Sequence, residues 1–178
     1  MINTRKRAVT SAVLSVLVLS ACRIGSSPPS PSPSASPSPS PSPSQAACPV
    51  DKSPLVLVQG CTFLRNHDSI DLDRGRVGTP SPDLTVNNGT VTVTPPAMSM
   101  YLGPTKFDAL TVNLLERAHL SSNNSNYDML LLEDKGVFAM RTGQGRPAKV
   151  LLQHVDQIAW SIDIAFVTYR GPSDSSSG

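Results

Sequence analysis

Nineteen consecutive residues, Ser26 to Ser44, are serine and proline with one alanine at position 35. No other feature restricts the folding of this chain as severely. Proline fixes φ and lacks an amide donor, and the tract offers no apolar surface whose burial would offset the entropy of ordering it. Alternating proline predicts an extended polyproline II spacer of roughly 60 Å, at about 3.1 Å per residue. A folded unit must lie to one side of it. The 25 residues upstream are too few for a core, whereas the stretch from Cys48 to Arg170 is long enough for one. Residues 48–170 are therefore read as a single globular domain, and 171–178 as a disordered polar tail.

The upstream segment has its own logic. Met1 to Arg7 carries Arg5, Lys6 and Arg7 and no acid, and Ala8 to Leu19 is an apolar run broken only by Thr10, Ser11 and Ser15. Those 12 residues fall short of the about 20 that a bilayer-spanning helix needs. A basic start, a short apolar run and small residues after it are the anatomy of a secretory signal. The run ends in Leu19-Ser20-Ala21-Cys22, which resembles the lipobox of bacterial lipoproteins. That resemblance implies a signal peptide at 1–21, a diacylglyceryl group on the Cys22 thiol, cleavage just before Cys22, and acylation of the new amino terminus. Residues 22–47 then form the lipidated cysteine and the disordered Pro/Ser linker. Two or more acyl chains, at about 0.8 kcal/mol per buried methylene, give stable attachment. The expected location is the cell membrane or outer membrane, facing the periplasm or the exterior. Arg23 follows the cysteine, so the aspartate that favours inner-membrane retention in such lipoproteins is missing.

Processing changes both charge and cysteine count. The full chain has 15 Lys+Arg and 13 Asp+Glu. Removing residues 1–21 removes three bases and no acid, which leaves 12 against 13 and a net charge of −1. A nucleic-acid partner is not expected of such a surface. With Cys22 assigned to lipid, Cys48 and Cys61 remain, and an oxidising compartment predicts a disulfide between them. A bridge closing so short a loop stabilises by about 3 kcal/mol. The spacing is not that of a redox motif.

Strand patterns dominate the domain. Leu55 to Val58 reads as a short strand, and Ser69 to Asp73 alternates before a turn at Gly75. Asp83 to Val86 and Thr90 to Thr94 flank Asn87-Asn88-Gly89, a strong hairpin signal. Pro95-Pro96 ends the second of these strands, and Ser99 to Leu102 is a further short one. Phe107, Leu110, Leu114, Leu115 and Ala118 share one face at helical spacing. A polar loop follows from Ser121 to Asn126. Gly136 to Arg141, the turn Thr142 to Pro147 and the return strand Ala148 to Val155 begin a meander. Ile158 to Phe166 alternates as its last strand. The expected fold class is α+β: mainly antiparallel β, a small sandwich or partial barrel, with one covering helix. Ile70-Asp71-Leu72-Asp73-Arg74-Gly75, Gly136-Val137-Phe138, Gly145-Arg146-Pro147-Ala148-Lys149-Val150 and Val167-Thr168-Tyr169 resemble landmarks of a small module of secreted bacterial proteins. Across about residues 65–170 that resemblance implies architecture and an extracytoplasmic setting, and no chemistry.

Chemical constellations are sparse. Asp68, Asp71 and Asp73 form the densest acidic cluster. Asp71 and Asp73, two apart on a predicted strand, share a face and are the candidate binding residues, since clustered oxygens suit a hard cation such as Ca²⁺. EF-hand spacing is absent, and the competing reading is a solvated strand face, or aspartates holding the nearby turn, with Arg74 and Arg76 close enough to neutralise them. His67, His119 and His154 lack metal-ligand spacing, so no metal site is assigned. There is no Gly-x-Ser-x-Gly elbow, and Gly143-Gln144-Gly145 reads as a turn and not a phosphate loop. No catalytic residue and no cofactor are assigned. Tyr101, Tyr127, Trp160 and Tyr169 suit either a sugar-binding face or a core, and core packing is the favoured reading. The expected function is a membrane-anchored extracytoplasmic lipoprotein displaying a non-catalytic binding or structural domain for a protein or glycan ligand. The alternative is an envelope hydrolase acting on cell-wall or exported substrates.

Overall fold

The Asn87-Asn88-Gly89 stretch turns as its residue types require. Asn88 (φ 46°) and Gly89 (φ 79°) both occupy the left-handed region, the geometry of a two-residue turn whose twist matches its strands. The hairpin joins two of ten strands found in a computed structural model that describes residues 47–122, 126–172 and 174. In chain order these are β1 Val56–Leu64, β2 Ser69–Asp71, β3 Arg76–Val77, β4 Leu84–Asn87, β5 Thr90–Val93, β6 Met98–Pro104, β7 Asn126–Asp128, β8 Gly136–Arg141, β9 Pro147–Asp156 and β10 Ser161–Tyr169. A 3-10 turn, Phe107–Ala109, precedes the helix α1 Val112–Arg117, and another, Met129–Leu131, follows β7. The signal segment, Cys22 and the Pro/Ser spacer lie outside the described residues, as do 123–125 of the expected polar loop.

All pairings are antiparallel. The first sheet runs β1-β10-β9-β8-β6 and the second β3-β2-β4-β5-β7, which bears out the α+β, mainly antiparallel architecture. Between the sheets, Phe138, Met140, Val150, Leu152, Ile162, Ile164 and Phe166 meet Ile70, Leu72, Leu84, Val86, Val91 and Val93. The alternate residues of the first sheet face the other way. Val137, Ala139, Val167 and Tyr169 pack under Phe107 and Leu115 of the helical segment. β8, β10 and the first half of β9 are therefore buried on both faces: eight of the nine residues of β10 are buried, the exception being the half-buried Asp163.

Several elements depart from their sequence patterns for physical reasons. The expected helix over 107–118 is split at Leu110 and Thr111, whose extended backbone separates the 3-10 turn from α1. Leu115 is buried, but Leu114 is 54% exposed, because a six-residue helix presents less than two turns to the sheet. Ile158 lies in the tight β9–β10 turn, 94% exposed, and β10 starts three residues later. Trp160 closes that turn at φ 50° and packs its ring against the core. The strand read at Leu55–Val58 continues to Leu64, held along its whole length by β10. Of the residues read as a tail, Gly171 is buried, and Asp174 binds Arg146. Among the described residues no helix is long and apolar enough to cross a membrane.

Gly89 has a second reason to lack a side chain: a Cβ there would sit 2.9 Å from the Trp160 ring. Gly89→Ala combines a left-handed backbone with that clash. It is expected to lower the unfolding free energy by about 2 kcal/mol in urea titration. A change within about 0.5 kcal/mol, the range of an indifferent surface substitution, would contradict this packing.

Candidate functional site

The candidate residues Asp71 and Asp73 do converge, but not by sharing a strand face. β2 ends at Asp71, and Asp73 lies in the turn that follows. The Asp71 carboxylate bends that turn by accepting from the amides of Asp73 (2.9 Å) and Arg74 (3.1 Å). Neither acid is solvated: Asp71 is 4% and Asp73 7% exposed, which corrects the solvated-face reading and bears out the other one, an aspartate that holds the nearby turn. Asp83, just ahead of β4 and 3% exposed, joins them. The three carboxylates place oxygens within 4.8 Å of one another. Asp68 instead caps a local turn, accepting from the Arg65 amide.

Three buried acids so close need donors, and the fold supplies them. Asp83 accepts from the Leu72 amide (2.8 Å) and, across the sandwich, from the Gly143 amide (2.6 Å). Asp73 accepts from the Thr142 hydroxyl (2.9 Å) and from Arg146 Nη1 (3.3 Å). Arg74 lies 3.5 Å from Asp71. Burial pushes the Asp83 carboxyl above the usual carboxylate range, and the charges of Asp73 and Asp71 push the same way. Arg146, in the β8–β9 turn, is the hub that sequence reasoning missed. Besides Asp73 it holds Asp174 in a bidentate pair, 2.8 Å at both Nε and Nη2. Its partners lie 73 and 28 residues away, and no local spacing signals such a pairing. A crevice of about 440 Å³ adjoins the cluster, lined by Asp71, Asp83, Pro82, Pro96 and Gln144 among others. Among the described residues these three aspartates are the group whose geometry suits a metal ion. Most of their oxygens are already engaged by amides, a hydroxyl and Arg146. The arrangement ties the β2–β3 turn to the β8–β9 hairpin.

The other sequence candidates are placed as follows. Cys48 and Cys61 form a disulfide, with Cα atoms 5.7 Å apart; Cys22 lies outside the described residues. His154 sits on the surface 3.3 Å from Asp134 and does not meet the other histidines in a ligand set. Tyr101 and Tyr127 pack their rings on Phe138, at 5.0 and 4.9 Å between centroids, and Tyr169 is 1% exposed. These aromatics build core and not a sugar-binding platform. No protein-family model, curated protein or solved structure matches this chain.

Removing Arg146 strands the Asp73 carboxylate in a buried site. Arg146→Ala is expected to lower the unfolding free energy by about 2 kcal/mol, read by urea titration; a loss within about 0.5 kcal/mol would sink the hub assignment. The Asp174 pair adds a pH signature. Arg146 holds the Asp174 carboxyl at about 2, below its ordinary 3.8. Because the folded-state value is the lower one, the contribution of the pair is complete above about pH 4 and is lost as pH falls toward 2. The Gly171 amide, which donates to Asp174 (2.8 Å), should lose its NMR hydrogen-exchange protection in that window. Loss already near pH 6 would contradict the pairing.

Proposed function

We propose that this chain is a lipid-anchored extracytoplasmic lipoprotein that displays a small, non-catalytic binding or structural domain on a Pro/Ser spacer. One observation supports this most directly. Of the three cysteines, Cys48 and Cys61 are joined, an oxidised state that suits an exported protein, and Cys22 alone is left over, at the lipobox position. Lipid on Cys22 is the membrane contact, and the spacer lifts the sandwich clear of the headgroups. The domain faces the periplasm or the exterior and works by presenting a surface to a protein or a glycan.

Cys22→Ala is expected to abolish metabolic palmitate labelling and to release the chain from the membrane fraction, while the Cys48–Cys61 linkage persists in non-reducing peptide mapping. Palmitate labelling that survives the substitution would refute the lipid assignment. Hydrolysis of cell-wall polymer by the purified chain would replace the non-catalytic reading with that of an envelope hydrolase.

A further inference from the structure

On the outer face of the first sheet, opposite the second sheet, one ionic group stands out. Lys149 is the third residue of β9 and is 2% exposed, although a lysine is almost never fully buried unless paired. Its strand neighbour is Val167, and its stem runs among the residues of the outer cluster. The ammonium is enclosed from several sides. The Phe107 ring centroid lies 4.6 Å away and that of Tyr169 5.7 Å. The Leu110 carbonyl accepts from it at 3.2 Å. Its carboxylate partner is Asp51, at 3.0 Å, and the same Asp51 oxygen accepts a hydrogen bond from the Tyr169 hydroxyl. Lys149 and Tyr169 thus converge two donors on one carboxylate oxygen.

Asp51 does not belong to the sheet. It rides on the segment 48–55, which crosses the outer face as a strap. One end is fixed by the Arg170 amide, which donates to the Leu55 carbonyl (2.8 Å). The other end is fixed by the disulfide to Cys61 on β1. Between them the Asp51 amide donates to Gln59 Oε1 (2.9 Å), and Gln59 and Cys61, two apart on β1, share the outer face. Beside the strap, between it and the helical segment, a crevice of about 320 Å³ opens over Tyr169, lined by Ser53, Leu55, Asp108, Thr111 and Val112 among others. That volume falls at the lower end of small-molecule sites, about 300–1,000 Å³. Burial alone would raise the Asp51 carboxyl. Its hydrogen bonds from Tyr169 and Ser53 and the charge of Lys149 outweigh that, and the net displacement is downward, as expected of a carboxylate seated among donors.

We propose that Lys149 and Tyr169 form a carboxylate-binding site, filled in cis by Asp51 on a strap that the Cys48–Cys61 disulfide holds down, and that opening the strap frees the site for a carboxylate-bearing ligand. The strap is a lid whose counterion occupies the site that a ligand takes when the lid is open. A thiol reductant that cleaves the disulfide leaves two cysteine thiols and removes one of the attachments of the strap. This inference concerns the domain alone and is independent of the lipid tether.

The test uses amine acylation of the full chain, read residue by residue in peptide mass mapping. The exposed Lys52, Lys106 and Lys135 serve as internal references. In the oxidised protein Lys149 should resist acylation. Asp51→Gly, which vacates the site, should raise its rate at least tenfold. Added acetate should restore protection several-fold, and chloride at equal ionic strength should not. Cys48→Ser keeps Asp51 but frees the strap, and it should give an intermediate rate that acetate also lowers; it serves as well if Asp51→Gly fails to fold. An unchanged Lys149 rate in both variants overturns the lid. A raised rate indifferent to acetate overturns the carboxylate site.

Discussion

Burial of the first sheet on both of its faces is the constraint on which the rest of the structure depends. β8, β9 and β10 lie between the second sheet and an outer cover made of the helical segment and the N-terminal strap. Where these strands are covered on both sides, as along β10 and the first half of β9, there is no wet face, so each polar side chain there must find a partner inside the protein. Lys149 is the severest case, because its ammonium is held away from water and is favourable only while paired. The strap therefore acts as part of the fold. It supplies the carboxylate of Asp51 to a charge that the sheet cannot accommodate alone, and the Cys48–Cys61 bridge restricts the alternatives open to the strap.

The two polar nodes of the domain meet at consecutive residues of β10. Strand side chains alternate between faces, so Thr168 points inward and Tyr169 outward. The Thr168 hydroxyl donates to the Leu72 carbonyl (2.8 Å), inside the turn that carries Asp73 and beside the carboxylates that Arg146 and Gly143 hold. The Tyr169 hydroxyl donates to Asp51 on the opposite side. The end of this one strand thereby ties the acidic turn of the second sheet to the strap that covers the first. Neither node resembles a surface ion pair of small consequence, because Asp73 in one and Lys149 in the other are buried.

What was legible in the sequence, and what was not, follows from the same physics. Local signals survived: Asn88-Gly89 demanded its turn, and the glycine-bounded run Gly136 to Arg141 is β8 to the residue. Period-two alternation was a good guide wherever one face is wet. It misled at Ile158 and Trp160, because the same alternation runs back from β10 into the β9–β10 turn, where Ile158 is exposed and Trp160 takes a positive φ. The helical periodicity of 107–118 was real in its buried members, Phe107 and Leu115, but too short to bury Leu114. For Asp71 and Asp73 the shared strand face fails and the turn-holding reading stands, since the turn after β2 brings them together. Asp83, Arg146 and Asp51 were invisible as partners because their contacts span the chain. Lys149 did carry a signal. A lone cation inside Ala148-Lys149-Val150-Leu151-Leu152 implies either a wet face or a buried partner, and the flanking apolar residues favour the latter.

A double-mutant cycle between Asp51 and Lys149 tests this dependence most directly. Asp51→Asn removes the counterion, Lys149→Met removes the buried charge while keeping its stem, and unfolding free energies are read from urea titrations of both single variants and the pair. If the strap exists to neutralise Lys149, Asp51→Asn alone is costly, and the loss is largely recovered in the Asp51→Asn/Lys149→Met protein, with a coupling of at least about 1 kcal/mol. Effects that simply add, within about 0.5 kcal/mol, would show that the two side chains do not depend on one another, and would contradict the role given to the strap.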